Sequence, residues 1–108
     1  MYRLASPQWH DLPVEGARIQ MRPITSRMWL GALARLKDER TPETDFALTL
    51  DLAQQTICGF EGIGDANGEP AVVAPHTIEA LLDDPRMFLA VQGIVQSALT
   101  LQEAEKND

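Results

Sequence analysis

The sequence predicts a mainly α protein, a small helical domain of about four helices with a minor N-terminal β-strand or hairpin. Three observations carry that class. Apolar residues recur at helical spacing in several segments, and a Thr, Ser or Asp beside a Pro opens most of those segments. Only one segment, residues 17–22, alternates with the two-residue period of a half-buried strand.

The bounds agree with one domain over residues 1–108. A chain of 108 residues holds a single core and is too short for two independent ones. Apolar residues at 44% and charged residues at 23% are near globular averages, so the chain is expected to fold. The one cysteine, Cys58, cannot form an internal disulfide, and nothing near Met1 has the pattern of a secretory signal. The expectation is a reducing, cytoplasmic setting. No apolar run approaches the roughly 20 residues that span a bilayer, so no membrane association is expected.

Charge excludes one function class and raises another. A formal charge of −7 argues against general nucleic-acid binding, which needs a surplus of Lys and Arg to neutralise phosphates. The charge is also uneven. Residues 1–40 carry seven basic and four acidic side chains, whereas residues 41–108 carry two basic and twelve acidic, so the parts stand at +3 and −10. Opposite faces can attract within one fold. They can also join copies head to tail, which makes rings or open helices, so a homo-oligomer is expected.

Taken in order, residues 1–13 show no sustained period and are broken by Pro7 and Pro13, which predicts an N-terminal arm. Trp9 reads as a loop anchor, and His10 has no partner at ligand spacing. Residues 14–24 form the strand segment. Glu15 and Gly16 supply a turn, then Ala17, Ile19 and Met21 lie on one side, with Arg18, Gln20 and Arg22 on the other. Its partner is left open between residues 2–5 and residues 71–74. Residues 25–59 hold two helices. Thr25 or Ser26 can cap the first, whose apolar stripe joins Trp29, Leu33 and Leu36 with Met28, Leu30 and Ala32 and ends near Lys37. Thr41 and Pro42, with Glu43 and Asp45 in the first turn, open the second, in which Phe46, Leu50, Ala53 and Ile57 share a face. Gly59 is expected to stop it in the left-handed conformation.

Residues 60–76 form a turn-rich junction. Asp65-Ala66-Asn67-Gly68 has the chemistry of a tight turn and can join a short hairpin. Residues 77–104 hold a short helix and a long one. Thr77 can cap the first, through Ile78, Leu81 and Leu82, and Asp84-Pro85 can cap the second. On the long helix Phe88, Val91, Val95, Ala98 and Gln102 share a face, with Met87, Ile94 and Leu101 beside it. The polar residues 105–108 are expected to fray.

The search for chemistry yields no cofactor, no metal and no catalytic residue, and the chain is not expected to be an enzyme. His10 and His76 lie far apart, and neither forms a ligand or triad pattern with Cys58. The Asp65 turn departs from a calcium loop, because its glycine comes too early and the twelfth position is His76 rather than a glutamate. Gly62 and Gly64 lack the third glycine and the strand-to-helix setting of a phosphate loop. Cys58 reads as a small core hydrophobe.

The junction carries a resemblance. Phe60-Glu61-Gly62-Ile63, then Asp65, Asn67-Gly68 and Pro70, then Thr77-Ile78-Glu79-Ala80-Leu81-Leu82 resemble the succession aromatic-x-Gly-Val, Asp-x-(Asp/Asn)-Gly, Thr-x-Glu-x-Leu-Leu of phage tail assembly chaperones. The segment from Val14 to Pro23 and the polar end from Glu103 to Asn107 extend the similarity over most of the chain. Phe60 stands where that family often has tryptophan, and Ala71-Val72-Val73 replaces a more usual aromatic.

The resemblance implies a small helical protein of viral morphogenesis, made in the bacterial host cytoplasm from a long-tailed phage or prophage. It implies a non-catalytic chaperone that binds the tape measure protein and recruits the tail tube protein. The candidate partner-binding residues are Trp29 and Leu33 on the first helix and Phe88, Val91 and Val95 on the last. The family-motif residues Phe60, Gly62, Asp65, Asn67, Gly68, Thr77, Glu79 and Leu82 read as structural. Two further readings stand beside it: a structural tail component such as a terminator or connector, and a small bacterial protein-binding regulatory domain docking through its acidic half.

Overall fold

A computed structural model describes residues 1–36 and 41–106. In chain order the elements are β1 (Gln8–Asp11), β2 (Arg18–Met21), α1 (Ser26–Leu36), α2 (Pro42–Thr56), β3 (Ile57–Glu61), α3 (Pro75–Leu82) and α4 (Pro85–Lys106). The fold is therefore mainly α with a small antiparallel sheet, as the periodicities predict. The predicted helix end and loop at residues 37–40, the end of the tail at residues 107–108, and the side chains of Leu33, Leu36, Leu101 and Gln102 lie outside the described residues.

The strand over residues 17–22 is present as β2, but its partners differ from both candidates. Neither residues 2–5 nor residues 71–74 pair with it; β2 lies between β1 and β3, antiparallel to each. The arm over residues 1–13 thus ends in a strand. Gln-Trp-His-Asp hides it, because a strand is read from alternating apolar residues and this one turns Gln8 and His10 to the inner side. Strand β3 is hidden differently, since Ile57 continues the helical spacing of α2. The β1–β2 connection closes at Gly16, whose φ of +82° favours glycine, with the Leu12 amide donating to the Ala17 carbonyl at 2.9 Å.

Register divides the sheet into two faces. On the inner side Ile19 and Met21 are buried against Ile57, Leu52, Val91 and Val95 in the core. On the outer side Trp9, Gln20 and Gly59 form one cross-strand row, and Asp11, Arg18 and Glu61 form the next. The pairing steps from Gly59 to Ile57 opposite Gln20 and Met21, which leaves Cys58 as the extra residue of a bulge.

Gly59 does not stop α2. The helix ends at Thr56, Ile57 turns to extended backbone (φ −69°, ψ 121°), and the chain enters β3 directly. Gly59 sits inside that strand without a positive φ. A Cβ there would stand 2.9 Å from Gln20 Oε1 and 3.2 Å from Trp9 Cη2, so what the position requires is the absence of a side chain. Thr56, fully buried, returns its hydroxyl to the Leu52 carbonyl at 2.7 Å, and its own carbonyl accepts from the Arg22 amide at 2.7 Å. That second bond fixes the end of α2 to the end of β2.

The caps follow local chemistry closely. The Thr25 hydroxyl accepts from the Met28 amide at 3.1 Å at the start of α1. At α2, Thr41 and Thr44 satisfy each other's amides, at 3.2 and 2.8 Å, in a capping box with Pro42 in the first turn. An Arg35–Asp51 ion pair of 2.6 Å ties α1 to α2. At α3 the expectation needs correction: Thr77 is the third helical residue rather than the cap. Pro75 takes the first helical position, and the Thr77 hydroxyl reaches back to accept from the Ala74 amide at 2.9 Å. The core then joins the inner sheet face to Leu52 and Ala53 of α2, Ile78 and Leu82 of α3, and Met87, Val91 and Val95 of α4.

Candidate protein-binding groove

The residues of the junction block build backbone geometry. Phe60 lies half-buried opposite Ile19 on the inner side of the sheet. Gly62, at φ +68°, lets the chain pass so close to Gly16 that a Cβ would run into the Gly16 carbonyl. The Asp65 carboxylate accepts from the amides of Asn67 (2.8 Å) and Glu69 (3.0 Å), and Gly68 turns the chain at φ +82°. Gly64 and Pro70 face each other in an antiparallel bridge, so this turn closes a short hairpin. Leu82 is buried, whereas Glu79 is exposed.

The five candidate partner-binding residues divide. Val91, 0% exposed, reaches no partner without opening the core, and Val95, 4% exposed, meets the surface only where it lines the groove described below. Phe88 is half-buried, with its ring centroid 5.1 Å from that of Phe46 and the planes inclined at 31°, so it helps fix α4 to α2. Trp29 is half-buried on α1 beside the exposed Leu30, and the side chain of Leu33 lies outside the described residues. No ring contact joins Trp29 to Phe88 among the described residues.

What the structure does assemble is a groove of about 830 Å³. It lies between the residues that precede β1 (Leu4, Ala5, Ser6), the inner-side residues Gln8, His10 and Met21, the link Arg22-Pro23-Ile24, and α4. Helix α4 contributes Ala90, Gly93, Ile94, Val95, Ser97 and Ala98, a mostly small and apolar surface. In size and apolar lining it falls within the range of ligand clefts. Ile94 and Ala98 were legible as apolar positions on α4. The contribution of β1 was not, since nothing in Gln-Trp-His-Asp marks a strand. Gly93 is the one signal that was available, a glycine in the interior of a long helix.

The electrostatics of the groove run against those of the chain. Among the described residues Arg22 is its one fixed charge and no carboxylate lines it, although the chain carries 16 acidic residues. Arg22 is exposed and makes no ion pair among the described residues. The other N-terminal arginine on the sheet is engaged: Arg18 lies 3.3 Å from Asp11, 3.6 Å from Glu61 and 5.2 Å from the Trp9 ring centre.

A second, smaller cavity of about 380 Å³ lies under the hairpin, between Ile63, Ala71, Leu81 and Met87. The two carboxylates at its margin are already used, Asp65 in the turn and Asp84 at the start of α4. Asp84 accepts from the Arg86 amide at 2.9 Å and pairs with the Arg86 guanidinium at 3.2 Å. That side-chain hydrogen bond, foremost among the causes, holds the Asp84 carboxyl below its ordinary value and raises Arg86. No group of three metal-binding side chains occurs among the described residues, and no helix there is long and apolar enough to cross a membrane.

Compared with known protein families, with curated proteins and with solved structures, the chain matches none of them.

Proposed function

We propose that this protein is a tail assembly chaperone of a long-tailed phage or prophage, acting without catalysis in the host cytoplasm. It binds the tape measure protein and assists assembly of the tail tube protein around it. The observation that carries this reading is the apolar groove between β1 and α4, with Arg22 at its margin. A groove of this kind covers apolar surface that a long, unassembled partner would otherwise expose. The succession from Phe60 to Leu82 supports the family assignment, while its residues build the frame rather than the binding surface.

Copies of the chain associate head to tail along the partner, the basic N-terminal part of one against the acidic remainder of the next. Such contacts weaken as ionic strength rises from about 0.1 M, where charges reach ~10 Å, to about 1 M, where they reach ~3 Å. Sedimentation velocity at the two salt concentrations reads this directly, and salt-independent oligomers would contradict it. Particle composition tests the role itself. The chaperone should be found with the tape measure protein in lysates during assembly and be absent from purified virions; a stoichiometric presence in virions would instead favour a structural tail component.

A further inference from the structure

Strand β1 is an edge of the sheet, paired with β2 on one side and with no strand on the other among the described residues. An edge strand presents outward N–H and C=O groups that can pair with another chain. The inner-side residues of this same strand, Gln8 and His10, line the groove. Free edge and groove are thus contiguous, the arrangement in which an added strand gains main-chain hydrogen bonds and places every second side chain into a pocket.

Two further observations say what would be added. Gly93 lies inside α4, where glycine costs about 1 kcal/mol relative to alanine, and beyond its own turns of helix no described atom lies within 4 Å of where its Cβ would stand. Packing within the chain does not require this glycine, and its absence of side chain leaves the groove open along α4. The charge is also specific. With Arg22 as the one fixed charge and no carboxylate in the lining among the described residues, the groove complements an apolar segment that carries a carboxylate at its end.

We propose that the groove takes an extended apolar segment of a partner protein, added as a strand to the free edge of β1, with a flanking carboxylate against Arg22. The inference deepens the binding role proposed above and rests on it for the identity of the partner; the chemistry of the segment is read from the groove. Segments of this kind are the ones most prone to aggregate when unpaired, which is what a chaperone of assembly has to shield.

The probe is a fluorescein-labelled peptide of about ten residues, the length of a long strand, alternating Val with Ser and ending in two Glu at one terminus. Of three companions, one carries Lys in place of Glu and two carry N-methyl groups on alternate amides, one in each register. Fluorescence anisotropy with the full chain should show the Glu peptide binding more tightly than the Lys peptide. Arg22→Gln should erase that difference, weakening the Glu peptide by about fivefold, the scale of an exposed charge pair. N-methylation should abolish binding in one register and spare it in the other. Gly93→Phe, which fills open space, should weaken binding at least tenfold while circular dichroism and thermal unfolding show the fold retained; the N-methyl series carries the test if that variant is unstable. No binding, equal binding of Glu and Lys peptides, or indifference to N-methylation in both registers would overturn the inference. A tape measure protein kept soluble by a chain that binds none of the peptides would leave the chaperone reading standing alone, whereas peptide binding without any effect on the tape measure protein would do the reverse.

Discussion

Trp9 reaches across Gln20 toward Gly59, and its Cη2 atom stands 3.2 Å from where a Cβ on that glycine would be. The indole therefore occupies the place of a side chain missing two strands away, and Arg18 lies against its ring. Gly59→Val should destabilise the protein by about 1–2 kcal/mol, because crowding here outweighs the strand preference of valine. The same substitution in a Trp9→Ala background should cost clearly less. A double-mutant cycle in urea reads the coupling, and strict additivity would show that the two residues do not interfere.

Gly62 and Gly68 share a positive φ but differ in surroundings. A Cβ on Gly62 would collide with the Gly16 carbonyl, whereas one on Gly68 would meet nothing within 4 Å. Gly62→Ala should thus cost more than about 3 kcal/mol, strain and collision together, and Gly68→Ala about 1 kcal/mol from backbone strain alone. Thermal unfolding of the two variants gives the comparison, and equal losses would mean that the approach of Gly62 to Gly16 is not tight.

The ring pair of Phe46 and Phe88 gives a third expectation. Phe88→Ala should destabilise the fold by about 3 kcal/mol, of which about 1 kcal/mol is coupling to Phe46. If Phe88 instead served mainly as a partner anchor, its removal would weaken binding and leave the unfolding midpoint unchanged.

Asp84 makes α4 sensitive to acid. Its folded-state value lies below the ordinary 3.8, held there first by the hydrogen bond from the Arg86 side chain. The stabilisation is therefore complete above the ordinary value and is lost as pH falls through the lower, folded one. Asp84→Asn keeps the cap oxygen but removes the charge, so it should lower the unfolding temperature at neutral pH and flatten the dependence on pH below about 4. An unchanged acid profile in the variant would assign that dependence to other carboxylates.

Much of the frame is legible in the sequence because its signals are local. Thr41-Pro42, Asp84-Pro85 and the Asp65–Gly68 turn act through bonds spanning a few residues, and each is found as expected. The sheet is less legible because its order depends on residues far apart in the chain. Ile57 fits the spacing of α2 and also begins β3, so nothing local distinguishes a helix that stops from one that continues to Gly59. Thr77 has the chemistry of a cap but serves as the third residue of α3, because Pro75 fits the first position better. The groove escapes the sequence for a related reason: periodicity reports which side chains are apolar, while a groove depends on which of them lack a cover. Val91 is apolar and covered, and Gly93 two residues on opens onto the groove.

The proposed role of this chain is to hold the tape measure protein soluble before the tail tube closes around it. The direct measurement is the soluble fraction of tape measure protein when it is expressed alone, with this chain, and with the Gly93→Phe variant. The expected result is insoluble protein alone, a soluble complex that co-purifies with the unaltered chain, and a marked loss of both solubility and co-purification with the variant. Tape measure protein that is equally soluble and unbound with and without this chain would contradict it.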